Sequence, residues 1–298
     1  MWMSRSEYDE VEAKYRAAQA NADRLRRLAE KERQEMMKAY EEYRHPPVTV
    51  ARKPVPWPND QDWEACESLV RCGSEVEDLV FQQDGGEQIQ RRDLQFLLET
   101  EWLNDVCINA YVHLMRLRAK CAMSSEDAPA WPKTYFFGSF LLDKLCNGKD
   151  GYNYDGVRRV TLRAKVDIFA MDKVLVPFHL GNHWCMACIN FSLKRFEYYD
   201  SLGGSSATCI QALRRYLDDE HKNKKGPNGF DTSSWTVFVP KNIPHQANGY
   251  DCGVFALTYA NYLSRGLPFD FTQADMPAIR ARILIQILQN KPLPLTND

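Results

Sequence analysis

Five prolines fall between residues 46 and 60, at Pro46, Pro47, Pro54, Pro56 and Pro58. Proline lacks a backbone N–H and fixes φ, so neither a helix nor a central strand runs through such a stretch. The chain must therefore be built in parts, with 46–60 as a linker. Residues 1–45 ahead of it contain no Gly and no Pro, and carry ten basic and ten acidic side chains. Tyr8, Val11, Tyr15, Ala18, Ala22, Leu25 and Ala29 recur at spacings of three and four, a heptad-like seam on one long helix. Ser4 with Glu7 reads as a capping box. The seam is small, and Glu32 interrupts it. Two readings stay open: a solvated helix, and a coiled coil or partner-binding helix through which the chain self-associates.

Residues 61–298 read as one domain of mixed helices and strands. Apolar residues recur at helical spacing over 94–118, through Trp102, Val106, Tyr111, Leu114 and Met115. Stretches 174–178, 184–191 and 195–200 read as short strands, the last two joined as a hairpin across Ser192-Leu193-Lys194. A helix is predicted over 207–216, a strand over 235–239 and an apolar helix over 252–263. Pro277 suits the first turn of a last helix, 278–288. Lys222-Asn223-Lys224-Lys225 reads as a solvated loop.

Composition excludes several classes. Lys and Arg number 38 and Asp and Glu 40, a net charge of −2, so the chain lacks the basic footprint with which proteins hold nucleic acid. No run of 18 apolar residues predicts a transmembrane helix, and the first residues lack the apolar core of a signal peptide. The nine cysteines are odd in number and scattered, which predicts free thiols in a reducing compartment, cytosol or nucleus. Cys185-Met186-Ala187-Cys188 is a CxxC, but residues three apart on a strand face opposite ways and no second pair completes a zinc set. No metal or cofactor is expected.

Three stretches carry chemistry: Gly181-Asn182-His183-Trp184 opening a strand, Tyr199-Asp200-Ser201 closing the next, and Gln246 to Asp251-Cys252-Gly253 opening a helix. A hairpin sets the start of its first strand beside the end of its second. His183 and Asp200 should therefore meet within a few residues, a carboxylate orienting an imidazole. Cys252 follows a glycine-containing loop and opens an apolar helix, and helix N-termini and imidazolium neighbours both favour thiolate over thiol. The Gln246 amide and the Cys252 backbone N–H could together donate to an oxyanion. A lone cysteine opening a helix is more often core than catalytic, as is a lone histidine on a strand edge; the combination carries the reading.

These stretches resemble the SUMO-specific cysteine proteases, the Ulp/SENP family. The shared elements are Trp102-Leu103-Asn104-Asp105, His183-Trp184, Tyr199-Asp200-Ser201 and Gln246 to Gly253. Further segments are Val166 to Phe169, Val176 to Leu180 and Phe271 to Pro277. The resemblance covers roughly 75–298. It implies an α+β, papain-like core in permuted order (His-Asp-Cys), with a central mixed sheet flanked by helices. The long N-terminal helix precedes this core.

The resemblance further implies that Cys252 is nucleophile, His183 general base and acid, Asp200 its orienter and Gln246 part of the oxyanion hole. Trp102 and Trp184 would close over the substrate's Gly-Gly tail, where a β-carbon would clash, and Asp105 would face an arginine of SUMO. Partners would be SUMO and SUMO-conjugated proteins, with no nucleic acid or membrane. The nucleus is the expected location, with the nuclear envelope and cytoplasm left open. The enzymatic alternative is a protease for the Nedd-type modifier. The non-enzymatic one is a silent SUMO-binding scaffold, against which the complete His-Asp-Gln-Cys set argues. Two departures stand out. The segment 138–151 looks longer than is usual in the family, and Arg159-Val160-Thr161 stands where the family often has Arg-Trp-Thr.

Overall fold

The computed structural model describes residues 54–72, 79–82, 88–98, 100–126, 128–146 and 151–290. They begin with helix α1 (Asp60–Arg71), strands β1 (Leu79–Gln82) and β2 (Gln88–Gln90), and helices α2 (Arg91–Leu98) and α3 (Asp105–Ser124). Strand β3 (Thr134–Phe136) and helices α4 (Phe140–Cys146) and α5 (Val160–Ala164) follow. Next come strands β4 (Lys173–His179), β5 (Trp184–Asn190) and β6 (Arg195–Tyr199), helix α6 (Ala207–Lys225) and strand β7 (Thr236–Phe238). Helices α7 (Cys252–Arg265) and α8 (Met276–Gln289) close the fold. The helix read over 1–45 and the first part of the linker lie outside the described residues. Residues 54–59 have no regular structure, as their prolines predict. They lie on the domain: Val55 N–H donates to Asp275 at 3.0 Å, and Arg282 to the Pro56 carbonyl at 3.0 Å.

The main sheet has the order β3-β4-β5-β6-β7, antiparallel at its two inner pairings and parallel at the outer ones. Its central strand explains the layering. Every residue of β5 is buried. Trp184, Met186 and Cys188 join a core that includes residues of α3, α7 and α8, while Cys185, Ala187 and Ile189 join a second core with residues of α4 and α6. Side chains alternate along a strand, so a strand covered on both faces reads as one continuous apolar run. The two sulfurs of the CxxC accordingly lie on opposite faces. The α+β class, a mixed sheet flanked by helices, is as the sequence implies.

Two elements differ from the sequence reading. The periodic stretch 94–118 is two helices, because Asn104 interrupts it: its side chain accepts from Cys107 N–H at 2.9 Å and caps α3. Trp102 and Leu103 therefore sit in the break. Helix α6 runs to Lys225, so the lysine-rich stretch is its last turn rather than a loop. Cations there face the negative end of the helix dipole, and Gly226 follows as the C-cap. Part of the segment 138–151 forms α4, and all nine cysteines are free thiols. No described helix is long and apolar enough to cross a membrane.

On β6, Glu197 is wholly buried and receives hydrogen bonds from Arg195 at 2.7 Å, Asn190 at 2.8 Å and Tyr199 at 2.7 Å. Burial alone would push its carboxyl up; Arg195 and then Lys173 outweigh burial and hold it below the usual range. Glu197→Ala leaves Arg195 buried without this partner, and the expected loss is about 3–5 kcal/mol of unfolding free energy in urea titration.

Candidate active site

The pairing of β5 with β6 begins at Met186 opposite Tyr199. Carried one residue further, that register sets Cys185 opposite Asp200 and His183 diagonal to it. The His183 ring reaches Asp200 through Nε2, 2.6 Å from Oδ1. Asp200 also accepts backbone N–H bonds from Leu202 at 2.8 Å and Gly204 at 3.1 Å. The second is possible because residue 204 is glycine: a β-carbon there would stand 2.4 Å from Asp200 Oδ2. Burial would raise the Asp200 carboxyl, but the His183 bond and these two amides hold it below its ordinary value. In return the Asp200 bond, with smaller help from the sulfurs of Cys185 and Cys252, raises the His183 pKa to about 12.

Two thiols thus adjoin one imidazole, and their settings differ. Cys185 is fully buried in the sheet, and its sulfur accepts from Tyr198 OH at 3.3 Å. Burial raises its pKa. Its sulfur, the His183 ring and the Asp200 carboxylate each bring an atom within 4.8 Å of the others. Cys252 opens α7 and continues the loop that carries Gln246. With Nε2 committed to Asp200, Nδ1 is the ring nitrogen left for Cys252.

Gln246 is held at both ends of its amide. Its Oε1 accepts from Ser201 Oγ at 2.5 Å, and its Nε2 donates to Asn248 O at 2.7 Å. One N–H of the amide nitrogen remains for another acceptor. Trp102 is 48% exposed and donates from Nε1 to Gly249 O at 2.5 Å. Trp184 is instead a core residue, 4% exposed, donating to Leu103 O at 2.7 Å and leaning on the His179 ring at 4.6 Å. A β-carbon at Gly253 would meet Leu103 at 3.0 Å and Trp184 at 3.2 Å, so the glycine lets α7 approach both. A thiol, an imidazole, a carboxylate and a carboxamide donor are the groups that acyl transfer through sulfur requires.

Residues 101–290 match the Ulp1 protease family, C-terminal catalytic domain. The chain belongs to this family. A sentrin-specific protease of Caenorhabditis elegans is 41% identical over 206 residues, covering 69% of this chain and 28% of that protein. Ubiquitin-like-specific protease 1A of Arabidopsis thaliana is 34% identical over 247 residues, covering 82% of this chain and 48% of that protein. The chain thus spans about half or less of the length of these two relatives. Among solved structures, the C-terminal Ulp1 protease domain in complex with Smt3, the yeast ortholog of SUMO, aligns with a TM-score of 0.63 at 28% identity. The alignment covers 79% of this chain and 97% of that one.

Within this Ulp1-family domain the structure brings His183, Asp200, Cys252, Gln246, Trp102 and Trp184 into one neighbourhood. Asp105 stands apart as the first residue of α3, partly exposed and with no ion pair among the described residues. The His245 ring faces two carbonyl acceptors, Ser201 O and Lys241 O, each at 3.1 Å, rather than the proposed nucleophile. Four participants were given no role in the site from the sequence. The register places Cys185, and Ser201 is adjacent to Asp200; both were within reach of strand arithmetic. Arg280 and Gln273, which bind Asp251, come from α8 and the turn before it, and no local pattern announces them.

With Asp200 present, the His183 ring stays protonated through about pH 5–8, where free histidine titrates. Asp200→Asn removes the largest cause of that shift, so the His183 midpoint is expected to fall toward ~6.5 in an NMR pH titration. The pair's contribution to stability is full between about pH 4 and 6.5, where both groups are charged in the unfolded chain. It is lost as acid takes pH down through the lowered Asp200 value. It declines with rising pH and is gone above the raised His183 value. Denaturant titrations of the two proteins should therefore differ most inside that window.

Proposed function

We propose that this chain is a thiol protease that hydrolyses the bond after the C-terminal Gly-Gly of SUMO, both in precursors and at target lysines. The observation that carries this reading is the single His183 ring shared between Asp200 and Cys252, in a domain of the Ulp1 family. The substrate class draws support from the family: relatives are named sentrin-specific proteases, and a homologous domain has been solved with the yeast ortholog of SUMO.

Each group has a step. The Cys252 sulfur attacks the glycine carbonyl carbon, and the resulting oxyanion takes hydrogen bonds from the Gln246 amide and the Cys252 backbone N–H. As the C–N bond breaks, His183 gives its proton to the leaving amine, and the modifier remains as a thioester on Cys252. Water then gives a proton to His183 and attacks the thioester; the C–S bond breaks and the sulfur leaves. Asp200 holds the ring by Nε2 throughout, so Nδ1 does the proton transfer. The exposed face of Trp102, bonded to the loop before Cys252, forms one wall for the tail. Trp184 backs it from the core. Two glycines pass where a β-carbon would not. Asp105, at the exposed start of α3, is proposed to meet a basic side chain on the modifier.

Cys252→Ser is expected to abolish turnover of a SUMO-fluorophore substrate and to retain SUMO binding. Gln246→Ala should lower kcat about 10²–10³-fold, the usual effect of losing one oxyanion donor. A SUMO probe with an electrophilic C-terminus should form one adduct, mapped by mass spectrometry to Cys252. An adduct on Cys185 would reassign the nucleophile. Labelling by a Nedd-type probe alone would move the substrate to that modifier, and no adduct with either would leave a binding scaffold.

A further inference from the structure

Arg280 lies on α8 and is 6% exposed, yet its guanidinium spans three pieces of chain. Its Nε pairs with Asp251 Oδ1 at 2.7 Å. Nη1 donates to Phe96 O at 2.7 Å, and Nη2 to Glu101 O at 2.8 Å and Tyr250 O at 3.2 Å. Two of these acceptors belong to the residues that lead into Cys252. The other two belong to α2 and the residue before Trp102.

The loop side is itself cross-linked. The second oxygen of Asp251 accepts from Asn248 at 2.7 Å and Gln273 at 2.8 Å, and Gln273 accepts from Ala247 N–H at 2.7 Å. Asn248 O in turn receives the Gln246 amide. A displacement of Arg280 therefore reaches Gln246 through hydrogen bonds, and Trp102 through its neighbour Glu101. The Trp102 bond to Gly249 O closes the ring from the other side.

We propose that Arg280 is a positioning residue: it sets the spacing between the loop 246–251 and the segment that presents Trp102, and so fixes the width of the slot that receives the Gly-Gly tail. The inference rests on the reading of the site as a Gly-Gly-directed thiol protease. The chemistry selects arginine. Four acceptors in different directions need the planar fork of a guanidinium; an ammonium keeps the charge opposite Asp251 but cannot serve all of them together. Nothing in the role requires Arg280 to touch substrate.

The test compares the full chain with Arg280→Lys, and with Asp251→Asn as a milder variant should Arg280→Lys fail to fold. With a SUMO-fluorophore substrate, kcat is expected to fall at least about tenfold in Arg280→Lys, because small misplacements at a reacting centre cost rate, and KM should rise no further than the affinity for intact SUMO falls. Asp251→Asn should shift kcat the same way by a smaller factor. In a Cys252→Ser background, the affinity gained from the tail is the ratio of Kd for SUMO lacking its last two glycines to Kd for intact SUMO. That ratio should drop at least about fivefold in Arg280→Lys while tailless SUMO binds as before. General destabilisation would not move this ratio. Hydrogen exchange should show 100–103 and 247–251 losing protection together. A folded variant with unchanged kcat or an unchanged tail ratio overturns the proposal. If the wild-type chain binds no SUMO, the reading of its activity fails separately, and exchange alone judges Arg280: joint loss supports the brace, and unchanged protection in either segment overturns it.

Discussion

The antiparallel pairing of β5 with β6 is the constraint on which the rest of the molecule depends. It places a histidine and an aspartate, seventeen residues apart, within one hydrogen bond of each other. It also sends Trp184 and Cys185 to opposite faces, so the same strand end supplies packing for α7 on one side and a buried thiol on the other. Burial on both faces makes the register hard to slip: a shift by one residue would exchange the two sets of side chains between two different cores. The geometry of the site is thus inherited from core packing rather than from the loops around it.

Electrostatics then refines what the sheet has positioned. Asp200 is almost buried, and a carboxylate there is tolerable only because every direction it faces offers a donor: an imidazole and two backbone amides. Those amides fix the carboxylate, the carboxylate fixes the ring, and the ring can turn only one nitrogen toward Cys252. Ser201, the next residue, extends the order outward by fixing which end of the Gln246 amide is the donor. A single turn after β6 therefore organises two groups of the proposed mechanism.

Much of this was legible in the sequence because it is local. The apolar run of β5, the short turn to β6 and the apolar helix opened by Cys252 are periodicity and turn chemistry, which one chain displays by itself. The break between α2 and α3 was hidden because Trp102 and Leu103 continue the helical spacing; only the capping bond of Asn104 reveals that the helix restarts. The length of α6 was understated because a run of lysines resembles a loop, although cations suit the end of a helix. Trp184, to which the family resemblance gives a place beside the substrate tail, is 4% exposed, a burial that its position next to His183 did not announce. Arg280 was invisible for a deeper reason. Its partners are backbone carbonyls and an aspartate brought together only by the tertiary fold, and carbonyls leave no trace in a sequence.

Two glycines stand where the backbone comes close to the site's side chains. At residue 204 the backbone comes so close to Asp200 that no side chain fits, and at residue 253 the helix touches Leu103 and Trp184 directly. Any other residue adds atoms, against Asp200 at 204 and against Leu103 and Trp184 at 253. A lineage that keeps these contacts is expected to hold the smallest residue at 204 and to change 253 only together with Leu103 or Trp184, although neither position bears a functional group.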